Sequence, residues 1–96
     1  MKPLIALLAA STVSSAVPPA RFQGEASAYV HFVRNVPATC PIKAPEGYTV
    51  KGWHQRLNGQ SIIILPHPCA YPAEEFARIA CHEIGHVNGW SGMHEQ

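Results

Sequence analysis

The strongest constraint on this chain is a short run near its C-terminus, Cys-His-Glu-Ile-Gly-His-Val-Asn-Gly-Trp, which begins at Cys81. The run places His82 and His86 four positions apart, with Glu83 directly after the first histidine. Residues four apart on a helix share one face, so both imidazoles can reach the same metal ion. The adjacent carboxylate can take a proton from a water on that ion. This pattern is typical of zinc-dependent hydrolases.

The surrounding residues favour a helix over about 72–88. Pro72 suits the first helical position, and Gly89 is a natural residue to end the helix. No proline interrupts the segment between them. Its apolar positions form one stripe that is predicted to pack on a core, with the two histidines to one side of it. These apolar positions are Phe76, Ala80, Ile84 and Val87.

A catalytic zinc ion needs a third protein ligand and keeps one position open for water. The chain contains no aspartate and ends ten residues after His86, which leaves few candidates. We predict His94 as the third ligand, because glycines after the helix allow the chain to reverse. Glu95 is the second choice, with His67 and His54 behind it.

The run from His82 to Gly89 resembles the zincin metallopeptidases, and within them the metzincins of H-E-x-x-H-x-x-G-x-x-H type. It is also similar to small, uncharacterised phage and bacterial proteins in which Gly-Trp and a nearby histidine follow the helix. The resemblance covers about a quarter of the chain, and the motif is its only specific part. It departs from the metzincin pattern in one respect: the third histidine of that pattern falls at Gly92, two residues before His94.

The residues before the helix predict a small antiparallel sheet, so the fold class is α+β. Asn58-Gly59 is typical of a tight hairpin turn between strands at 48–57 and 60–65. A further strand is expected near 28–34, where β-branched and aromatic residues dominate. In zincins a strand before the active-site helix commonly pairs with an extended substrate, which would give Ile62–Leu65 that role. Four consecutive apolar residues equally fit a strand that is buried on both faces.

The N-terminus has the features of a signal peptide over residues 1–16, followed by a single domain over 17–96. Lys2 precedes a short apolar stretch, and small residues at Ser14 and Ala16 fit a cleavage site. Cleavage predicts an exported protein, periplasmic or secreted, without a stable membrane span. Without cleavage the chain would be membrane-anchored or cytoplasmic. The mature chain of about 80 residues would be a small domain, and such domains usually need a disulfide bond or a structural metal ion for stability.

Three cysteines remain after such processing, and an exported protein can oxidise them. We predict a bridge between Cys40 and Cys69, which would tie the proline-rich loop to the turn before the helix. Cys81 projects roughly 100° away from its neighbour His82 on a helix, and is expected to be a buried free thiol.

The charge balance excludes some partners. Without Lys2 the chain carries six basic and six acidic side chains, which gives no net electrostatic field to attract nucleic acid.

From the motif we predict a zinc metallopeptidase that acts on a peptide or protein substrate, with Glu83 as general base. Tyr71 or His67 could supply a donor to the oxyanion. The alternatives are a secreted, non-catalytic module stabilised by zinc, and a phage or bacterial hydrolase of cell-wall peptides. The sequence leaves the oligomeric state open.

Overall fold

A computed structural model describes residues 16–96, which form a three-stranded sheet covered on one face by a C-terminal helix. The strands are β1 (Tyr29–Val33), β2 (Trp53–Leu57) and β3 (Gln60–Pro66). A short helix, α1 (Val36–Thr39), follows β1, and the long helix α2 spans Ala73–Val87. The class is α+β, as the sequence predicts. Apart from Ala16, the predicted signal peptide lies outside the described residues.

The sheet is mixed, which corrects the antiparallel sheet expected from the sequence. The strand order is β1-β3-β2, with β1 parallel to β3 and β2 antiparallel to it. The central strand β3 buries Ile63 and Leu65 on the helix-facing side, whereas Ile62 and Ile64 on the other face are half-buried. This position also excludes β3 as the strand that pairs with a substrate, because both of its edges are already bonded.

The hairpin turn between β2 and β3 is confirmed. Asn58 and Gly59 both have positive φ, 51° and 78°, as a type I′ turn requires. The strand before the turn is shorter than predicted, because residues 48–52 are a loop and β2 begins only at Trp53. Gly52 is the last residue of the loop before β2 begins. A Cβ atom there would lie 3.2 to 3.3 Å from Ile79, Glu83 and the Ile64 carbonyl, so the chain passes close to α2.

The main core lies between α2 and the face of β3 that carries Ile63 and Leu65. Both side chains are buried, and Ile79 of the helix forms a single cluster with them. The predicted stripe of Phe76, Ala80, Ile84 and Val87 packs against this cluster. Burial of such aliphatic side chains stabilises a fold by about 1.5–3 kcal/mol each. This contact fixes which side of α2 faces away from the core.

Helix α2 is one residue shorter at each end than predicted. Pro72 is its N-cap rather than its first residue, and Asn88 is the C-cap. Gly89 has a φ of 106°, and the Trp90 amide donates to the Gly85 carbonyl across 2.9 Å, as in a Schellman motif. No helix among residues 16–96 is long and apolar enough to cross a membrane.

The N-terminal segment, residues 16–24, packs along α2. Pro18 is almost fully buried and lies against Gly85, where a Cβ atom would come within 2.6 Å of its ring. The Asn88 amide donates to the carbonyls of Phe22 and Gly24, each at 2.9 Å. Gly85 and Asn88, both within the run from His82 to Gly89, therefore hold this segment against the helix.

All three cysteines are free, so the predicted Cys40–Cys69 bridge is wrong. Cys40 follows α1 beside the groove described below, whereas Cys69 is exposed in the 3₁₀ turn Pro68–Ala70. Cys81 is a free thiol as expected, although it is only half-buried.

Candidate metal centre and active site

Three histidine side chains converge beside α2. The Nε2 atoms of His82, His86 and His94 lie 3.2 Å from one another in all three pairs. A tetrahedral zinc ion at about 2.0–2.1 Å from each nitrogen requires nitrogens about 3.3–3.4 Å apart. The triangle therefore has the size that such an ion needs. The structure brings together the three residues that the sequence predicts as ligands.

The tautomers of two of these histidines support the same conclusion. The Nδ1–H group of His82 donates to the Ala16 carbonyl at 2.8 Å, and that of His86 donates to the Trp90 carbonyl at 2.7 Å. A neutral imidazole that donates through Nδ1 has a lone pair on Nε2. Two lone pairs at 3.2 Å repel each other unless a cation lies between them. Backbone partners of this kind commonly orient metal-binding histidines.

Trp90 holds His94 in reach of the helix. Its indole is 2 % exposed and stacks on the His86 ring, with centroids 5.0 Å apart. The indole Nε1–H donates to the Glu95 carbonyl at 2.8 Å, while the His94 amide donates to the Ser91 carbonyl at 3.0 Å. Trp90 thus packs over the end of the helix, and this packing explains how His94 reaches the site.

Burial favours the neutral, metal-binding form of two ligands. Desolvation is the largest cause that lowers the pKa of His82 below its ordinary value of 6.5, and the bond to Ala16 opposes this only in part. Desolvation also lowers the pKa of His94, together with the nearby His82 and His86. Since only an unprotonated nitrogen binds a metal, both shifts reduce competition from protons near neutral pH.

Glu83 lies between the histidine cluster and the sheet. Its side chain is 7 % exposed, and its Oε1 atom is 3.5 Å from Nδ1 of His54 on β2. The aliphatic part of the side chain packs close to Gly52. Burial keeps this carboxylate beside the three candidate metal ligands and away from bulk water.

A groove of about 510 Å³ opens onto these side chains. One wall is formed by the loop that precedes β2, with Cys40 and residues 42–45 and 47–53. The other wall contains His82, Glu83 and His94. The volume falls within the range of about 300–1,000 Å³ that is usual for ligand sites. The structure therefore has a cleft of ligand-binding size next to the candidate metal centre.

The other candidate residues from the sequence lie outside the cluster. The Glu95 carboxylate accepts a hydrogen bond from Ser91, so this second-choice ligand is directed away. His67 caps the 3₁₀ turn by accepting from the Cys69 amide at 3.2 Å, and Tyr71 packs against the core. Neither residue lines the groove that reaches His82, Glu83 and His94. His54 contacts Glu83 instead of joining the three nitrogens.

Sequence reasoning missed the contribution of the N-terminal segment. The acceptor for His82 is the backbone carbonyl of Ala16, and a backbone group gives no signal in the sequence. Gly85 did carry a signal, because a glycine within a helix is unfavourable and often marks a close packing contact. Here that contact is with Pro18.

Comparison with protein-family models, with curated proteins and with solved structures finds no match for this chain. The fold and the arrangement of the three histidines therefore stand on the chain's own geometry.

Proposed function

We propose that this protein is a zinc-dependent peptidase. The observation that carries the proposal is the equilateral arrangement of three Nε2 atoms at 3.2 Å, beside a buried glutamate that lines a groove. Three nitrogen ligands with a groove on the open side are typical of catalytic zinc sites, whereas structural sites usually have four protein ligands. The resemblance to zincins in the motif supports the same activity.

The residues of the chain divide the chemistry between them. His82, His86 and His94 would hold the ion, which would activate a water molecule and polarise the scissile carbonyl. Glu83 would accept a proton from a water molecule in the groove and would later donate it to the leaving amine. Its burial keeps the carboxylate in place beside the groove, where an extended peptide would lie.

The alternative with most weight is a non-catalytic module in which zinc only stabilises the fold. That interpretation is favoured by the small size of the chain, but it gives no role to Glu83 or to the groove. Hydrolysis of cell-wall peptides would use the same site on a different substrate. Export, if it occurs, would place either activity outside the cytoplasm.

The test uses the full chain and its Glu83→Gln variant. Zinc content is measured by atomic emission, and cleavage of a mixed peptide pool is followed by mass spectrometry. We expect one zinc per chain in both proteins, with cleavage reduced by at least about 100-fold in the variant. Glu74→Gln, the same change at an exposed position of α2, is the matched control and should retain both properties.

Two results would count against the proposal. Zinc bound by both proteins with no cleavage by either would support the structural module. Equal cleavage by wild type and Glu83→Gln would remove the glutamate from the mechanism.

A further inference from the structure

His54 links the sheet to the candidate active site. It pairs with Ile63 in the β2–β3 register, and Ile63 points into the core beneath α2. Side chains alternate along a strand, so His54 lies on the helix-facing side, whereas its neighbours Trp53 and Gln55 lie on the opposite face. His54 is therefore a residue of β2 that can reach across to the helix, where it lies beside Glu83 and His86.

Two contacts of His54 involve groups of the proposed mechanism. Its Nδ1 atom is 3.5 Å from Oε1 of Glu83, and its ring lies parallel to that of His86, with centroids 5.2 Å apart and planes inclined by 13°. One side chain thus touches both the proposed base and a proposed ligand. The candidate ligands and Glu83 themselves come from α2 and the loop after it.

The partner of a buried carboxylate matters energetically. The Glu83 side chain is 7 % exposed, whereas that of His54 is 41 % exposed. A carboxylate withdrawn from water is stabilised by hydrogen-bond donors, and a ring nitrogen of histidine can be such a donor. At 3.5 Å the contact is longer than a normal hydrogen bond, but catalytic contacts often shorten when substrate binds.

We propose that His54 is a positioning residue for Glu83. Its Nδ1–H group holds Oε1, which leaves the second carboxylate oxygen to accept the proton from water. Its ring stacks on that of His86, as the Trp90 indole also does. This inference rests on the proposed peptidase function for its kinetic part, but the contact between His54 and Glu83 can be tested without activity.

Three variants of the full chain separate the donor from the ring. His54→Phe keeps an aromatic ring against His86 and removes the donor. His54→Asn removes the ring but places an amide N–H near the position of Nδ1. His31→Phe is the matched control, because His31 pairs with Ile64 and lies on the other face of the sheet.

We expect His54→Phe to lower kcat by about 10–100-fold, as is usual for the loss of an outer hydrogen bond at a metal site. KM and the affinity for zinc, measured by competition with a chelator, should change by less than about 3-fold, because Glu83 is not a ligand. His54→Asn should recover most of kcat, and His31→Phe should match wild type. An unchanged kcat in His54→Phe, or equal losses in His54→Phe and His54→Asn, would overturn the role of the donor. A large loss of zinc affinity in His54→Phe would overturn it too, in favour of a role in metal binding.

A second measurement is independent of catalysis. The unfolding equilibrium of the metal-free protein is compared for wild type, His54→Phe, Glu83→Met and the double variant. If the two side chains interact, His54→Phe should shift the equilibrium at least about 5-fold more when Glu83 is present than when methionine replaces it. Additive effects would contradict the contact. Because this cycle needs no turnover, it still tests His54 if the peptidase proposal fails.

Discussion

The Nδ1–H group of His82 donates to the carbonyl oxygen of Ala16 across 2.8 Å, and this bond joins residues 66 positions apart. Ala16 is also the last residue of the predicted signal peptide. The bond that orients a proposed zinc ligand therefore ends at the residue where processing is predicted to cut. Cleavage after Ala16 would remove the acceptor from the domain.

This relationship predicts that the N-terminal boundary affects metal affinity. A chain that begins at Val17 should bind zinc about 10-fold more weakly than the full chain, because His82 loses the partner that fixes its ring. A chain that begins at Ser14 retains Ala16 and should behave as the full chain does. Competition with a chromophoric chelator measures the three affinities. Equal affinities for the chains that begin at Ser14 and Val17 would show that the Ala16 carbonyl is dispensable.

A second prediction concerns the third ligand. His94→Ala should weaken zinc binding by more than the loss of an outer partner does, which is about 10–100-fold. The reason is that one of three nitrogens is removed, and Glu95 points away toward Ser91. Cobalt substitution provides the measurement, because the visible spectrum of Co²⁺ reports its coordination.

The controls for this second prediction are Glu95→Ala and His31→Ala. Both should leave the cobalt spectrum unchanged. A normal spectrum in His94→Ala together with an altered one in Glu95→Ala would assign the third ligand to the glutamate instead.

The site could be predicted from the sequence better than the sheet, for a physical reason. His82, Glu83 and His86 are arranged by the local geometry of one helix, so their spacing alone places them together. His94 required only a chain reversal within a few residues, and Gly89 indicated where that reversal begins. Such local relationships can be inferred from sequence because few backbone conformations satisfy them.

The order of the strands depends on contacts between distant residues. β1 pairs with β3 rather than with β2, its successor in the chain. The loop over 48–52 has strand-forming residues, yet it leaves the sheet to line the groove. Neither outcome follows from a local pattern, and the Ala16 carbonyl has no side-chain signature at all.

A third prediction tests the packing of the N-terminal segment. Gly85→Ala should destabilise the protein by about 1–3 kcal/mol, because the new methyl group would lie 2.6 Å from the Pro18 ring and 3.0 Å from the Trp90 indole. Helix propensity alone would favour alanine by about 1 kcal/mol, so the sign of the effect is diagnostic. Denaturant unfolding of the metal-free protein measures it.

Gly92→Ala is the matched control for this third prediction, since a Cβ atom at Gly92 would have no heavy atom of residues 16–96 within 4 Å beyond its chain neighbours. It should change the free energy of unfolding by less than about 0.5 kcal/mol. A Gly85→Ala variant as stable as wild type would mean that the segment from Ala16 to Gly24 moves away at little cost.

The fourth prediction concerns pH. Burial lowers the folded-state pKa values of His82 and His94 below the ordinary value of 6.5. Just below pH 6.5 the unfolded chain therefore binds more protons than the folded chain, and acidification favours unfolding. The contribution of these histidines to stability is complete above pH 6.5 and is lost as the pH falls through their folded-state pKa values.

Denaturant unfolding of the metal-free protein at about pH 7.5, 6.5 and 5.5 should show a progressive loss of stability, and His82→Gln should flatten this dependence. Stability that rises on acidification through this range would contradict the buried, neutral state of the two ligands.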